Sequence, residues 1–223
     1  MKIIEEEFEK FRKIQILTNH WARPVGRPAY YWYLTFDDFA GLHDLAVRAQ
    51  AAISSPYYDL TPSSDLHLTL DRIGFQDEVS GSDLNRIEAA ASRGCREIAP
   101  FDITIGALGG TPGAIGFTAY PDRPIRDLRE ELRVATLSAF PSAQVKDTFF
   151  HAHVAIAYCN SSDIPAANTV AAVERIRAAA SIAATITEVA LVSLKRQPQS
   201  YEWTTVLRIP LTGTRYGRRQ PGR

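Results

Sequence analysis

A mixed α and β fold written as two similar halves is what this sequence predicts, and three observations carry the prediction. Strand-like apolar runs alternate along the chain with stretches whose apolar residues recur at helical spacing. A short pattern of His, apolar, small, apolar occurs twice, as HLTL at His67–Leu70 and as HVAI at His153–Ile156. A strand leads each copy at nearly the same distance, 36 positions from Tyr31 to His67 and 38 from Ile115 to His153.

Taken in order, the first segment places Ile4, Phe8 and Phe11 at helical spacing among Glu and Lys, the mark of an amphipathic helix laid on the body. WARPVGRPAY breaks that helix, and YYWYLTF (Tyr30–Phe36) reads as a buried strand. Asp37 or Asp38 is the expected cap of a helix from Phe39 to about Ile53. After SSPYYDLTPSSD come a strand, LHLTLDRIGF, a helix opened by Ser82 and closed by Gly94, and a strand, FDITIGAL. GGTPG (Gly109–Gly113) is the strongest turn and the expected connection between lobes. The order then restarts with the strand AIGFTAY, a helix with Pro124 near its first turn, the strand FFHAHVAIAYC and the helix PAANTVAAVERIRAAA. TITEVALVSLKRQ and YEWTTVLRIPL are the last two strands, before a tail with four arginines and no apolar periodicity, expected to be flexible.

With 223 residues, 45% of them hydrophobic, the chain can bury one large core or two intimate lobes. Lys plus Arg and Asp plus Glu number 25 each, so no global field gathers nucleic acid or anionic lipid, and any phosphate is held by local groups. A non-specific DNA binder is thereby disfavoured. Cys95 and Cys159 lack both the number for a disulfide framework and metal-ligand spacing, which suits buried thiols in a reducing compartment. Three successive glutamates interrupt the first segment, and no apolar run is long enough to span a bilayer, so no membrane contact and a cytoplasmic location are expected. A monomer is expected.

The repeated motif carries the chemistry. Alternation on a strand puts His67 and Thr69 on one face and Leu66, Leu68 and Leu70 on the other, an imidazole and a hydroxyl beside each other. In the second copy His151, His153 and Ala155 share the exposed face while Val154 and Ile156 turn to the core. If the halves pack about an approximate two-fold axis, the two histidines meet across one cleft and form a proton donor and acceptor pair near neutral pH. His151 and His153 also spell His-x-His, a spacing seen in metal sites, but no further ligand follows at a useful distance and no metal or other cofactor is expected. His20 and His43 are expected at the surface. Tyr33 and Trp203 are candidate base-stacking surfaces, and Arg72, with Lys195 or Arg196, a candidate phosphate contact.

Paired His-x-Thr-x strands, together with HLTLDRIGF, FDITIGALGGTPGAIGFTAYPDRPIRDLREELR and HVAIAY, resemble the two-histidine phosphoesterase superfamily, in its 2′–5′ RNA ligase-like, cyclic phosphodiesterase branch. The resemblance covers roughly 30–211 and implies a bilobal α+β fold, two antiparallel sheets facing a central groove with helices outside, and a pseudo-two-fold repeat. It divides the chain into an N-terminal helix and linker (1–29), lobes of about 30–108 and 114–211, and a basic tail (212–223). It also implies metal-independent action on 2′,3′-cyclic phosphates or 2′–5′ linkages of RNA or nucleotides, with His67 and His153 as the catalytic pair and Thr69 as a phosphate ligand. Ala155 departs from the Thr or Ser usual in that family. A lost hydrogen bond to a charged group costs about 1.5–3 kcal/mol, a rate reduced roughly ten- to a hundredfold. Water, Tyr158 or His151 are the expected substitutes. A catalytically weakened module that grips RNA ends or nucleotides without turnover is the alternative reading.

Overall fold

The structure, a computed structural model, describes residues 2–53, 55–143, 145, 150–177 and 181–214. Most of the expected basic tail, the end of the helix begun at Pro165 and Phe149 of the second His-bearing strand lie outside the described residues. The chain begins with α1 (Lys2–Arg12), β1 (Ile16–Leu17), β2 (Ala29–Thr35), α2 (Ala40–Ala52), β3 (Tyr58–Leu60) and β4 (His67–Phe75). Next come α3 (Gly81–Cys95), β5 (Phe101–Thr111), β6 (Ala114–Tyr120), α4 (Asp122–Ala139) and β7 (His153–Cys159). β8 (Ile164–Pro165), α5 (Ala167–Ile176), β9 (Ile182–Ile186), β10 (Glu188–Arg196) and β11 (Tyr201–Pro210) follow.

Among the described residues these strands form a four-stranded sheet in the order β11-β10-β2-β4, a five-stranded sheet in the order β3-β7-β6-β5-β9, and the ribbon β1-β8. All pairings are antiparallel, so the expected α+β class with two antiparallel sheets is what the chain adopts. No helix of the described residues is long and apolar enough to cross a membrane.

The division into contiguous lobes needs correction. β3 and β5, from the first half of the chain, lie in the sheet of β6 and β7, while β10 and β11, from the second, extend the sheet of β2 and β4, with β10 paired to β2 and β11 to β10. GGTPG is therefore the tip of the β5–β6 hairpin inside one sheet and not a link between lobes. The single strand expected over TITEVALVSLKRQ is likewise two, because the chain leaves one sheet after Ile186 and enters the other at Glu188. Each sheet is closed by strands from both ends of the chain, which the local pattern does not encode.

Helix ends also differ in detail. Ser80, not Ser82, caps α3: its hydroxyl accepts the Asp83 N–H at 3.2 Å while the Asp83 carboxylate accepts the Ser80 N–H at 2.8 Å, a reciprocal capping box. Neither Asp37 nor Asp38 caps α2, whose N-cap is Phe39, because Asp37 pairs with Arg208. The strand expected over FFHAHVAIAYC begins at His153, which leaves His151 before it.

The core lies between sheets and helices. Leu68 and Leu70 on the inner face of β4, and Leu66 just before it, are buried as alternation predicts. Phe8 and Phe11 of α1 join the same core. Trp32 of β2 is buried to 1% exposure, and its Nε1–H donates to Thr136 Oγ1 of α4 at 3.0 Å, a bond 104 positions apart in sequence. Trp32→Ala is expected to cost about 3–5 kcal/mol, or roughly 6–20 °C in melting temperature. Thr136→Val, which leaves the indole N–H unsatisfied, is expected to cost about 1–3 kcal/mol. Urea and thermal unfolding check both.

Candidate active site

The strand pairs β2/β4 and β6/β7 repeat one another in register. In the first, Thr35 faces His67 and Tyr33 faces Thr69; in the second, Thr118 faces His153 and Gly116 faces Ala155. Beyond that point each His-bearing strand holds one extra residue, Leu70 between the pairs Tyr33–Thr69 and Trp32–Asp71, and Ile156 between Gly116–Ala155 and Ile115–Ala157. The carbonyls at these bulges are satisfied from helices. Arg129 Nε of α4 donates to Leu70 O at 2.8 Å, and Gln50 Nε2 of α2 donates to Ile156 O at 2.9 Å. Each helix thus supports the bulge of the opposite half.

The bulge in β7 decides where Tyr158 points. Strict alternation from His153 would turn residue 158 away, but the extra residue restores it to the face of His153 and Ala155. A cleft of about 490 Å³ results, within the usual range for small ligands. His67, Thr69, His151, His153, Ala155, Tyr158 and Tyr33 all border it, so most of the residues singled out in the sequence come together.

Both imidazoles are held by one device. His67 Nδ1 lies 2.7 Å from the Asp65 carbonyl and His153 Nδ1 lies 2.8 Å from the His151 carbonyl, two residues upstream in each case. A carbonyl only accepts, so Nδ1 carries the proton in both rings and Nε2 is left for chemistry. The environments differ. His67 lies face to face with Tyr33 at 4.1 Å and edge-on to Trp203 at 6.0 Å, whereas His153 is exposed and stacks on His151 at 5.8 Å. Burial pushes the His67 imidazole down to about 4; the Asp65 carbonyl works against this, and the nearby His153 adds to it. His151 is also lowered, first by burial and then by His153, with Glu7 acting in the opposite sense.

Three expectations change. Tyr33 is 2% exposed with one face taken by His67, so it backs the imidazole and offers no open stacking surface. Trp203 stands edge-on behind His67 and outside the cleft lining, for the same reason: β11 brings it against the ring's edge. Arg72 does not border the cleft, because its guanidinium lies over Phe75 at 4.7 Å, while Arg196 donates to the Trp21 and Pro24 carbonyls.

His20 is not a surface residue either. The β1–β2 connection folds it into the cleft, where Nε2 meets the Tyr201 hydroxyl at 2.8 Å and the ring packs on Tyr158 at 4.4 Å. Burial, then Arg196 and Arg23, push it down to about 4. His43 is half-buried and reaches the Phe36 carbonyl at 2.8 Å. Sequence reasoning also missed Thr118 and Glu7, which border the cleft together with Tyr31 and Tyr201. For Thr118 a signal existed, since Thr35 and Thr118 sit at corresponding places near the ends of the two leading strands. α1, expected only to pack on the body, contributes Ile4, Glu7 and Phe8 to the cleft wall. Among the described residues no third His, Cys, Asp or Glu joins His151 and His153 into a metal-binding group.

Two antiparallel sheets that face one groove, each presenting a histidine from a repeated strand pair, define a two-histidine phosphoesterase fold. The chain belongs to the 2′-5′ RNA ligase superfamily, whose model matches residues 42–198. Among solved structures it is similar to TT0787 of Thermus thermophilus, with 19% identity, a TM-score of 0.66, and 84% of this chain and 100% of that one covered. It is also similar to E. coli LigT in complexes with 3′-AMP (18% identity, TM-score 0.58) and NADP+ (18%, 0.61), each over 84% of this chain and 99% of that one. No curated protein matches the chain.

Proposed function

We propose that the protein is a metal-independent phosphodiesterase that opens 2′,3′-cyclic phosphates of RNA or nucleotides by paired-histidine acid-base catalysis. The observation that carries this reading is the duplicated tautomer lock, which leaves two Nε2 atoms for one cleft that also holds Thr69. E. coli LigT, of the same fold, has been crystallised with 3′-AMP, NADP+ and ATP, which favours a nucleotide-sized ligand.

His67, kept neutral by burial, takes a proton from water through Nε2 as the water oxygen attacks phosphorus in line. The bond from phosphorus to one ribose oxygen breaks, and His153, which enters this step protonated on both nitrogens, delivers its Nε2 proton to that oxygen. Thr69 donates to a non-bridging oxygen. The product is a phosphate monoester, and solvent returns the proton from His67 to His153.

The test is hydrolysis of a nucleoside 2′,3′-cyclic phosphate and of an RNA ending in one, with EDTA present. Turnover unaffected by the chelator is expected. Its absence, with RNA still bound by folded protein, would favour the nucleotide-binding alternative that Ala155 suggests.

A further inference from the structure

The repeated register shows what Ala155 leaves undone and which residue stands beside the gap. In the first half the hydroxyl next to the histidine comes from the same strand, two residues on, as Thr69. In the second half that position is Ala155, and its cross-strand neighbour Gly116 has no side chain. A Cβ at Gly116 would lie 2.6 Å from the Val154 carbonyl oxygen and 3.1 Å from Ala155 Cα, so this part of the floor stays bare.

Thr118 lies directly opposite His153. Side chains of such a pair project to the same face, with Cβ atoms about 4.5–5.5 Å apart. Its counterpart, Thr35, is committed elsewhere, because the Thr35 hydroxyl accepts from Arg208 Nη1 at 2.8 Å. Thr118 borders the cleft, and among the described residues its hydroxyl makes no hydrogen bond.

We propose that Thr118 supplies, from the neighbouring strand, the second phosphate-oxygen contact that Ala155 withholds. This rests on the paired-histidine reading above. The asymmetry between the halves then lies in which strand provides the hydroxyl, and both histidines work beside one. The bare surface at Gly116 and Ala155 lets a phosphate settle against the floor, within reach of Thr118.

The experiment is a double-mutant cycle over Thr118→Val and Ala155→Thr, with Thr118→Ser as the conservative variant. The readouts are kcat and KM on a nucleoside 2′,3′-cyclic monophosphate, Kd for inorganic phosphate, and melting temperature. Thr118→Val is expected to lower kcat about ten- to a hundredfold, the loss of one hydrogen bond to a charged group. Ala155→Thr is expected to recover about tenfold or more when combined with Thr118→Val and to gain less in wild type. Thr118→Ser is expected to retain most of the turnover. Equal gains from Ala155→Thr in both backgrounds, or a kcat for folded Thr118→Val within about twofold of wild type, would overturn the assignment. Wild type that binds phosphate without turnover would sink the hydrolase reading alone, and the same cycle in Kd would then decide Thr118. Wild type that does neither would overturn both.

Discussion

His67→Ala and His153→Ala are each expected to lower kcat on a 2′,3′-cyclic phosphodiester by about a hundred- to ten-thousandfold, the range for removing a positioned acid or base. The double mutant is expected to fall little further, because a base without its acid, or an acid without its base, leaves the other half of the proton exchange undone. Single-turnover assays on the three variants, with phosphate binding measured alongside, check this. His67→Ala also removes the ring stacked on Tyr33, so its melting temperature must be compared with wild type before the rate is read. Full sensitivity at one histidine and none at the other would rule out a shared acid-base pair.

The acid limb of the pH profile for kcat/KM is expected near 4, well below the ordinary imidazole value. The sign follows from the base's role. With His67 as the base, activity would need it unprotonated, so the rate is expected to rise with pH through the pKa of His67, which burial depresses to about 4 in the free protein. At pH 5 an imidazole with the ordinary value of about 6.5 is only about 3% neutral, whereas one titrating near 4 is about 90% neutral, roughly a thirtyfold difference in active base. Trp203→Ala opens the edge of the ring to water and is expected to move the limb up toward 6.5. An acid limb already near 6.5 in wild type, unmoved by that substitution, would count against His67 as the buried base.

Local features of this protein are legible in the chain alone. Period-two alternation in HLTL puts Leu66, Leu68 and Leu70 inward and His67 and Thr69 outward, and the repeat of the motif announces a second histidine at a matching place. These patterns depend on backbone geometry over a few residues, so they can be read without a fold. The remaining features of the site depend on partners far away in the chain and emerge only on folding. Strand exchange between the sheets sets β10 beside β2 and β11 beyond it, and thereby places Trp203 against the half-buried ring of His67. The extra residue at Ile156, held by Gln50 from 106 positions away, turns Tyr158 into the cleft. His20 and α1 reach the same cleft through a loop and a helix whose own sequences name no destination. Thr118 comes to lie beside His153 because cross-strand register is set by hydrogen bonding between segments, and a residue's own neighbours in sequence carry no record of which strand it will face.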